Sequence, residues 1–444
     1  MKKPLVVTIS KFPPYMSGHS FEAMNQGRAL YEMTGYKHHE LTYHPDIYDK
    51  STNYNDAPSL LKKAAKYLYI HRVKTVSSKN VKVFDGELTK AFTGRLINLI
   101  QSKKVNVIST FYLDPHAYIA NQAKIYAEKI LGKKIITVHK AVGSDVLNSI
   151  GNHLTDGQGK FLLLQMLEAD IMFAVSQYTK DKLVEFAKVV LPPEFSNKIA
   201  SKTEVLYAPF DNEYFAIRDE KLTRNLKDRL RIRSNQQIIS YFGRIFPEKG
   251  IEDLVYAYKS VKENFPELVL VVGGYGIELA KLKKMVKDLG LKDVKFTGAV
   301  SDKEKRAIMQ MSVLGVIPTK PIKNFVETLC ISALEYQASG TVLLTTKVGG
   351  VPEAGGTHSL YARHSDPKDL AAKITTVLKG QIDREEIISL GLEHTAKFNY
   401  VEITKRFLEK VNEKREERRN STRPMVNPDF WLKANLLKPY GNGF

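Results

Sequence analysis

The residue types best suited to chemistry lie in the second half of the chain, beginning with two basic residues around a strand-end turn. Gly243-Arg244 follows an apolar run, Lys249-Gly250 comes shortly after, and a helical pattern begins at Ile251. Backbone N–H groups at a helix start and two nearby cations converge on negative charge. The pattern predicts a diphosphate site; an ordinary loop with solvated Arg244 and Lys249 is the alternative.

Two carboxylates form the next constellation, with Glu327 and Glu335 separated by seven residues. We expect one helix to carry both, with Glu327 at its start, because eight residues turn through about 800° and bring the two onto nearly one face. One carboxylate can then reach a sugar hydroxyl and the other a ribose diol, while the helix start offers N–H groups to phosphate. The alternative is a helix-start carboxylate favoured by the dipole and a surface glutamate.

A double glycine follows these carboxylates, in the segment Gly349-Gly350-Val351-Pro352-Glu353 after an apolar run. Glycine lets a backbone approach a ligand closely. In its motifs and their spacing, the stretch from Gly243 to Glu353 resembles the donor domain of retaining GT-B glycosyltransferases of family four. The Gly-Arg…Lys-Gly loop, the two spaced glutamates and the Gly-Gly-x-Pro-Glu turn occur in the same order.

The resemblance implies a role for each matching position. Arg244 and Lys249 are expected on the diphosphate of a nucleotide-sugar donor, Glu327 on the hydroxyls of the donor sugar, and Glu335 on the ribose. With His139 of the first half added, the expected catalytic set is Glu327, His139, Arg244 and Lys249. The other positions expected to contact the donor are Gly18, Gly243, Leu329, Cys330 and Ile331.

Two positions depart from the family pattern. Cys330 stands where the family usually has glycine, so a backbone contact there must tolerate a side chain. The family's interdomain Asn-Gly-Val-Asp is here Ala208-Pro209-Phe210-Asp211, which keeps only the aspartate.

The first half resembles the family more weakly. The loop from Pro13 to Gly18 stands where the family has a Gly-Gly loop near the donor phosphates, and Gly18 is retained. His139 ends an apolar run and resembles the family's active-site histidine beside the donor sugar, with Asp145 as a weaker neighbour. A structural histidine at a strand end is the alternative.

The elements that must position these residues follow a repeated pattern of apolar run, loop and amphipathic stretch, which indicates an α/β protein with parallel sheets. The first half is predicted to have strands at Leu5–Ser10, Val105–Thr110, Lys134–Val138 and Ile171–Val175, and a helix at Phe21–Met33. The second half is predicted to have strands at Gln237–Phe242, Leu268–Val272, Val294–Thr297, Leu314–Ile317 and Val342–Thr345. The resemblance implies a GT-B fold, in which two Rossmann-like doubly wound domains face each other across a cleft.

A chain of 444 residues is long enough for two or three domains at roughly 150 residues each. We expect an N-terminal, acceptor-side domain over residues 1–215 and a donor-binding domain over residues 216–400. Residues 401–444 are expected to form a charged helix, Val401–Arg419, that crosses back to the N-terminal domain, followed by a docked or frayed tail.

The composition further limits the partners and the cellular compartment that we expect for this protein. The formal charge of +19, from 67 basic and 48 acidic residues, favours anionic partners without choosing among them. The excess is spread over both halves, so nucleic acid is not expected as a partner. The single cysteine, Cys330, fits a reducing compartment, and the cytoplasm is expected. The apolar start is too short for a secretory signal, and no segment should span a bilayer.

Residues 60–74 form a further feature. Leu61, Ala64, Ala65 and Leu68 fall on one helical stripe, with lysines around it. A basic amphipathic helix of this kind can contact an anionic membrane peripherally, whereas a surface helix with its apolar stripe on the core is the alternative.

Resident cofactors and metals are not expected. Gly274-Tyr275-Gly276 lacks the third glycine of a dinucleotide fingerprint, and neither a phosphate-binding Walker loop nor an Asp-x-Asp triplet occurs. The nucleotide sugar is therefore expected as a substrate, with side chains supplying the cations.

The sequence thus predicts a glycosyltransferase that moves a sugar from a nucleotide-diphosphate sugar, a UDP-sugar first and a GDP-sugar next, with retention of configuration. Its acceptor, whether lipid-linked, glycan or small molecule, stays open. Alternatives are a nucleotide-sugar epimerase or a phosphorylase on the same fold. A different class is a non-catalytic basic relative that binds nucleic acid or a membrane.

Overall fold

The computed structural model describes residues 3–13, 18–45, 57–74, 86–323 and 325–420. The chain divides into two compact units. Unit 1 comprises residues 1–53, 61–206 and 404–444, and unit 2 comprises residues 54–60 and 207–403.

Unit 1 is built on a seven-stranded sheet with the order β3-β2-β1-β4-β5-β6-β7, in which every pair is parallel. Its strands are β1 (Val6–Ile9), β2 (His38–Tyr43), β3 (Leu68–Val73), β4 (Val107–Phe111), β5 (Ile136–Ala141), β6 (Ile171–Ala174) and β7 (Thr203–Val205). The helices of this part of the chain are α1 (Gly18–Thr34), α2 (Ala57–Ala64), α3 (Gly86–Lys103), α4 (His116–Lys129), α5 (Gln158–Leu167), α6 (Gln177–Val190) and α7 (Pro193–Lys202).

Strand β2 carries mostly polar residues and was not predicted from the sequence. All six of its side chains are nevertheless buried. Their polar groups find partners on the neighbouring strand: the backbone N–H of Val6 donates to His38, and the Ser10 hydroxyl donates to Glu40. Partners of this kind, supplied by other segments of unit 1, offset part of the cost of burying polar groups, although Glu40 Oε2 and Thr42 Oγ1 have no hydrogen-bond partner among the described residues.

The prediction of one helix over residues 60–74 is wrong for the second half of that segment. Helix α2 ends at Ala64, and Leu68–Val73 forms β3, paired in parallel with β2 from His38–Leu68 to Tyr43–Val73. Tyr69, Ile70 and Val73 are residue types that suit a strand, and pairing along the whole of β2 decides the conformation. The continuous basic amphipathic helix therefore does not exist.

Unit 2 is built on a six-stranded parallel sheet with the order β10-β9-β8-β11-β12-β13. Its strands are β8 (Gln237–Phe242), β9 (Leu268–Gly273), β10 (Val294–Gly298), β11 (Leu314–Ile317), β12 (Leu343–Thr346) and β13 (Leu360–Ala362). The helices are α8 (Asn212–Ala216), α9 (Glu220–Leu230), α10 (Ile251–Lys262), α11 (Leu279–Asp288), α12 (Asp302–Met311), α13 (Ile331–Ala338), α14 (Val351–Gly355), α15 (Pro367–Leu378) and α16 (Arg384–Ala396).

The strands of unit 2 form where the sequence has apolar runs without alternation. Strand β9 is fully buried on both faces, as expected for a parallel strand covered by helices on each side. Strands β8, β9 and β11 contribute Ile239, Leu270 and Val316, respectively, to a single core cluster. Burial of apolar surface therefore fixes the sheet from which the loops of the site extend.

The unit boundary precedes the predicted one. Residues 207–215 pack in unit 2, where the backbone of Phe210 bonds with Phe398 and Tyr400. Asp211, the aspartate retained from the family's interdomain motif, caps α8 by accepting from the backbone N–H of Tyr214 at 3.1 Å. The boundaries thus fall after residues 206 and 403, whereas 215 and 400 were predicted.

The charged helix predicted at Val401–Arg419 is present as α17 (Tyr400–Asn420). Near its end Arg418 is largely buried in unit 1 and pairs with Glu128 at 2.8 Å and Asp170 at 2.6 Å. Asp170 also pairs with Lys124 at 3.0 Å. The predicted tail, residues 421–444, lies outside the described residues.

No helix in the described ranges is long and apolar enough to cross a membrane.

We expect Arg418→Ala to destabilise the protein by about 2 to 4 kcal/mol, because Glu128 and Asp170 would lose a buried guanidinium. The free energy of unfolding in urea measures this. Lys414→Ala, which removes an exposed pair with Glu417, should cost far less and serves as the control. Equal losses in both variants would contradict an anchoring role for Arg418.

Candidate functional site

The candidate site lies at the carboxyl edge of the unit 2 sheet, at the point where the strand order reverses. From β8 the chain adds β9 and β10 on one side, then returns to place β11, β12 and β13 on the other. Loops after strands on either side of such a reversal diverge and leave a crevice for ligands. Here the loop after β8 and the loop after β11 flank the reversal.

The loop after β8 carries the two predicted cations. Arg244 is half exposed; it pairs with Glu248 at 3.1 Å and lies over the ring of Phe246, 4.8 Å from its centroid. Lys249 ends a helical turn, Pro247–Lys249, and is followed by Gly250 at the start of α10. Both cations thus stand beside a helix start, as the sequence predicted.

Gly250 is required by the packing of the two loops. Its φ of 64° lies in the left-handed region, and an added Cβ would lie 2.0 Å from the carbonyl oxygen of Pro318. The same two loops are joined by a bond from the Lys320 N–H to the Glu248 carbonyl oxygen at 2.9 Å. No side chain larger than glycine fits at this position.

The prediction that one helix carries both glutamates is wrong. Helix α13 begins at Ile331 with Cys330 as its N-cap residue, so Glu327 lies in the loop before the helix and only Glu335 lies on it. Glu327 is nevertheless held in place, because its carboxylate pairs with the Lys249 ammonium. Both side chains are mostly buried, at 12% and 14% exposed.

The double glycine packs against the backbone at Glu327. The N–H of Gly350 donates to the Glu327 carbonyl oxygen at 2.8 Å. A Cβ on Gly350 would lie 1.9 Å from the carbonyl oxygen of Thr328, and one on Gly349 would lie 2.1 Å from that of Glu327. The loop after β12 therefore positions the Glu327 loop by direct contact between backbones.

The segment Leu329-Cys330-Ile331 leads into α13, whose first N–H groups have no partner within the helix. Cys330 replaces the family's glycine at no backbone cost, because its φ of −92° is open to any residue. Its side chain is buried, and burial, with the negative charge of Glu327 adding to it, raises the pKa of the thiol to about 12. The thiol therefore stays protonated at neutral pH.

Glu335 is buried and pairs with Lys305 of α12 at 2.6 Å. Burial raises the pKa of the Glu335 carboxyl, and the adjacent Lys305 ammonium opposes that rise. Lys305 also lies 3.3 Å from Asp302. A buried carboxylate held by one lysine remains able to accept further hydrogen bonds.

Sequence reasoning missed two residues of this cluster. Phe325 lies beneath both cations, with its ring centroid 5.8 Å from the Arg244 guanidinium and 5.9 Å from the Lys249 ammonium. Lys305 supplies the partner of Glu335. A sequence signal existed for the helix that carries Lys305, because Ser301 and Glu304 form a capping box that fixes the start of α12 at Asp302, three residues before Lys305.

In unit 1 the structure places Gly18 at the first residue of α1, where it is exposed. The preceding loop residues, 14–17, lie outside the described residues. His139 lies in the middle of β5, fully buried, and its ring nitrogens bond Thr110 at 3.0 Å and Asn121 at 3.0 Å. Burial, with a contribution from the charge of Lys124, lowers its pKa to about 3, so the ring is neutral.

His139 thus has both ring nitrogens engaged within unit 1, which is the arrangement of a structural histidine. A contact with the donor sugar would require the ring to leave one of these partners. Its catalytic role stays a prediction.

Asp145 is also fully engaged. Its carboxylate accepts from the backbone N–H groups of Leu113, Val142, Gly143 and Val146, at 2.8 to 3.1 Å. Burial raises its pKa to about 6. Nearby Asp114 is also buried, and its Oδ1 has no hydrogen-bond partner among the described residues. Burial, with a smaller contribution from Asp145, raises the pKa of Asp114 to about 6.

Comparison with solved structures identifies the fold. The chain is similar to Anabaena Alr3699/HepE in complex with UDP, with a TM-score of 0.70 and 15% identity, over 92% of this chain and 100% of that one. Two Rossmann-like parallel sheets with this likeness define the GT-B fold class, as the sequence predicted.

Residues 223–393 match the family described as "Glycosyl transferases group 1". The matched segment holds the cluster of Arg244, Lys249, Glu327 and Glu335. The resemblance found in the sequence is confirmed for the domain that carries the site.

Among curated proteins, the chain is similar to a D-inositol 3-phosphate glycosyltransferase of Corynebacterium urealyticum. The two are 27% identical over 209 residues, covering 45% of this chain and 48% of that protein. A GDP-mannose-dependent alpha-(1-6)-phosphatidylinositol monomannoside mannosyltransferase of Mycobacterium tuberculosis is 28% identical over 225 residues, 50% of this chain and 55% of that protein. The matches span about half the length of these relatives.

We expect Gly350→Ala to destabilise the protein by at least about 2 kcal/mol, because the new methyl group would overlap the Thr328 carbonyl oxygen. Unfolding in urea measures the loss. Gly94→Ala, in a helix with open space around the position, is the matched control and should be neutral or slightly stabilising. A Gly350→Ala protein as stable as the wild type would show that the two loops are not in this contact.

Asp114→Asn should change how stability depends on pH. An aspartate has a pKa of 3.8 outside this environment and about 6 in the folded protein, so the folded state holds the proton more tightly. Wild-type stability should therefore fall as pH rises from about 4 to about 6, by about 3 kcal/mol for this group. Asp145, whose pKa is also about 6, remains in the Asn variant, so the stability of that variant should fall less than that of the wild type. Unfolding at pH 4, 5, 6 and 7 tests this, with exposed Asp181→Asn as control; parallel curves for the wild type and Asp114→Asn would refute it.

Proposed function

We propose that the protein is a glycosyltransferase that transfers a sugar from a nucleoside-diphosphate sugar with retention of anomeric configuration. The observation that carries the proposal is the cluster of Arg244, Lys249 and Glu327 at the strand-order reversal of a group 1 domain. Glu335 lies further along the same segment, on α13. The cluster combines cations for a diphosphate with carboxylates for hydroxyl groups.

The cations serve the leaving group. Cleavage of the bond between the sugar and the diphosphate places negative charge on the diphosphate, and a fixed cation lowers the barrier by stabilising that charge. Arg244 is half exposed and Lys249 adjoins the N-terminus of α10, so both are available on the crevice side of the loop. The N–H groups at the start of α13 add neutral donors.

The carboxylates divide between the sugar and the ribose. Glu327 is proposed to accept hydrogen bonds from hydroxyls of the donor sugar, and Glu335 from the ribose diol. The pair with Lys249 holds the Glu327 side chain in place before the donor arrives. Attack from the face that the diphosphate leaves would retain the configuration without a protein nucleophile.

The donor is proposed to be a UDP-sugar first and a GDP-sugar second. The solved relative from Anabaena contains UDP, whereas the mycobacterial relative is named as GDP-mannose-dependent. For the acceptor, the names of both curated relatives specify inositol-based molecules that carry phosphate, which supports testing that class first.

Thermal unfolding with UDP, GDP, ADP and their sugars gives the first test, because a ligand that binds the folded state raises the melting temperature. Donors that stabilise the protein are then incubated with and without acceptors. Turnover without an acceptor would favour the epimerase alternative. The configuration of any glycoside product, read from its proton coupling constants, tests retention.

Glu327→Ala should lower the rate of transfer by about 100-fold or more, because interactions with the reacting sugar strengthen in the transition state. Affinity for the free nucleoside diphosphate should change little, since Lys249 and Arg244 remain. Product formation and calorimetric binding of the diphosphate separate the two effects.

The matched control is Glu267→Ala, which removes one exposed carboxylate paired with Arg233 in the same unit. It should leave transfer unchanged. Transfer by Glu327→Ala at the wild-type rate would refute the assignment.

A further inference from the structure

A second cavity lies in unit 1, at the edge of the sheet opposite the carboxyl ends of the strands. It has a volume of about 510 Å³ and is bounded by the segments that lead into β4 and β5 and by the last turns of α17. Ligands of doubly wound sheets bind beyond the carboxyl ends of the strands. This cavity lies at the amino ends instead. It is therefore separate from the edge of unit 1 at which a ligand site of that kind would lie.

Six basic residues and no acidic residue line the cavity in the described part of the chain. They are Lys104, Lys133, Lys134, Arg415, Arg418 and Arg419.

One of these cations is neutralised by carboxylates. Arg418 pairs with Glu128 and Asp170. Lys133 and Lys134 donate to the carbonyl oxygens of Ile100 and Arg418, which carry no formal charge. Lys104 and Arg419 are exposed and take part in no ion pair among the described residues. The cavity thus concentrates positive charge.

The remaining walls are apolar, formed by Ile100, Val105, Ile135 and Ile136. A volume in the range of small-molecule sites, with an apolar wall and a ring of cations, suits an anion that also carries a carbon skeleton. Guanidinium groups bind phosphate oxygens in pairs, which favours phosphate over a halide or a single carboxylate.

We propose that this cavity binds a phosphate-bearing molecule, either a free phosphorylated metabolite or the headgroup of an anionic phospholipid. The site is independent of the proposed transferase site, because its cations belong to unit 1 and lie at the amino edge of that sheet. Binding there fastens the end of α17 to the segments before β4 and β5.

The test uses the double variant Lys104→Gln/Arg419→Gln, which changes exposed side chains and should fold normally. The control, Lys188→Gln/Lys221→Gln, removes the same charge from exposed positions on α6 and α9. All three full-length proteins also carry Lys249→Gln, which weakens the diphosphate site proposed in unit 2. Inorganic pyrophosphate binding is measured by calorimetry. Recruitment to phosphatidylcholine vesicles with about 30% phosphatidylglycerol is measured by sedimentation.

Pyrophosphate affinity that falls by about tenfold in the cavity variant and not in the control supports the proposal with a free phosphate as ligand. Vesicle recruitment lost only in the cavity variant, without pyrophosphate binding, supports it with a lipid headgroup. Absence of both kinds of binding in the reference protein overturns the proposal. Equal losses in the two variants, or no loss in either, overturn it as well.

Discussion

The site depends on one constraint, the direct contact of backbones between loops at the carboxyl edge of the unit 2 sheet. Gly250 lies against the carbonyl of Pro318, and Gly350 lies against that of Thr328. A side chain at either position would separate the loops that carry Lys249 and Glu327. Glycine here does more than permit a turn, because it sets the distance between chemically active groups that come from different strands.

Each of three cations in and around the site has a carboxylate partner. Lys249 is paired with Glu327, Arg244 with Glu248, and Lys305 with Glu335. Isolated charges in such a partly buried place would shift their pKa values or disorder the loops. Binding of an anionic substrate is therefore an exchange of partners, in which carboxylates released from lysine become free to accept from hydroxyl groups.

The sequence was most informative where burial alone decides the structure. The apolar runs of β8 and β11 predicted both strands, and the family motifs located the basic loop between β8 and α10. It was least informative where tertiary contact decides. The polar residues of β2 did not indicate a buried strand, because their partners come from other parts of unit 1. The spacing of the two glutamates suggested a helix at Glu327, although contact with Gly350 holds that segment in a loop. The pairing of Lys305 with Glu335 joins two helices and has no local pattern.

Arg418 has a consequence for the order in which the protein is made. It follows its partner Glu128 by 290 residues, and residues 207–403 of unit 2 lie between them in the chain. At about 5 to 20 residues per second, a ribosome needs roughly 15 to 60 s to synthesise that interval. During this time the buried carboxylates of unit 1 lack their guanidinium, so unit 1 emerges first and is completed last. A discontinuous unit of this kind couples the maturation of the first sheet to successful synthesis of the second.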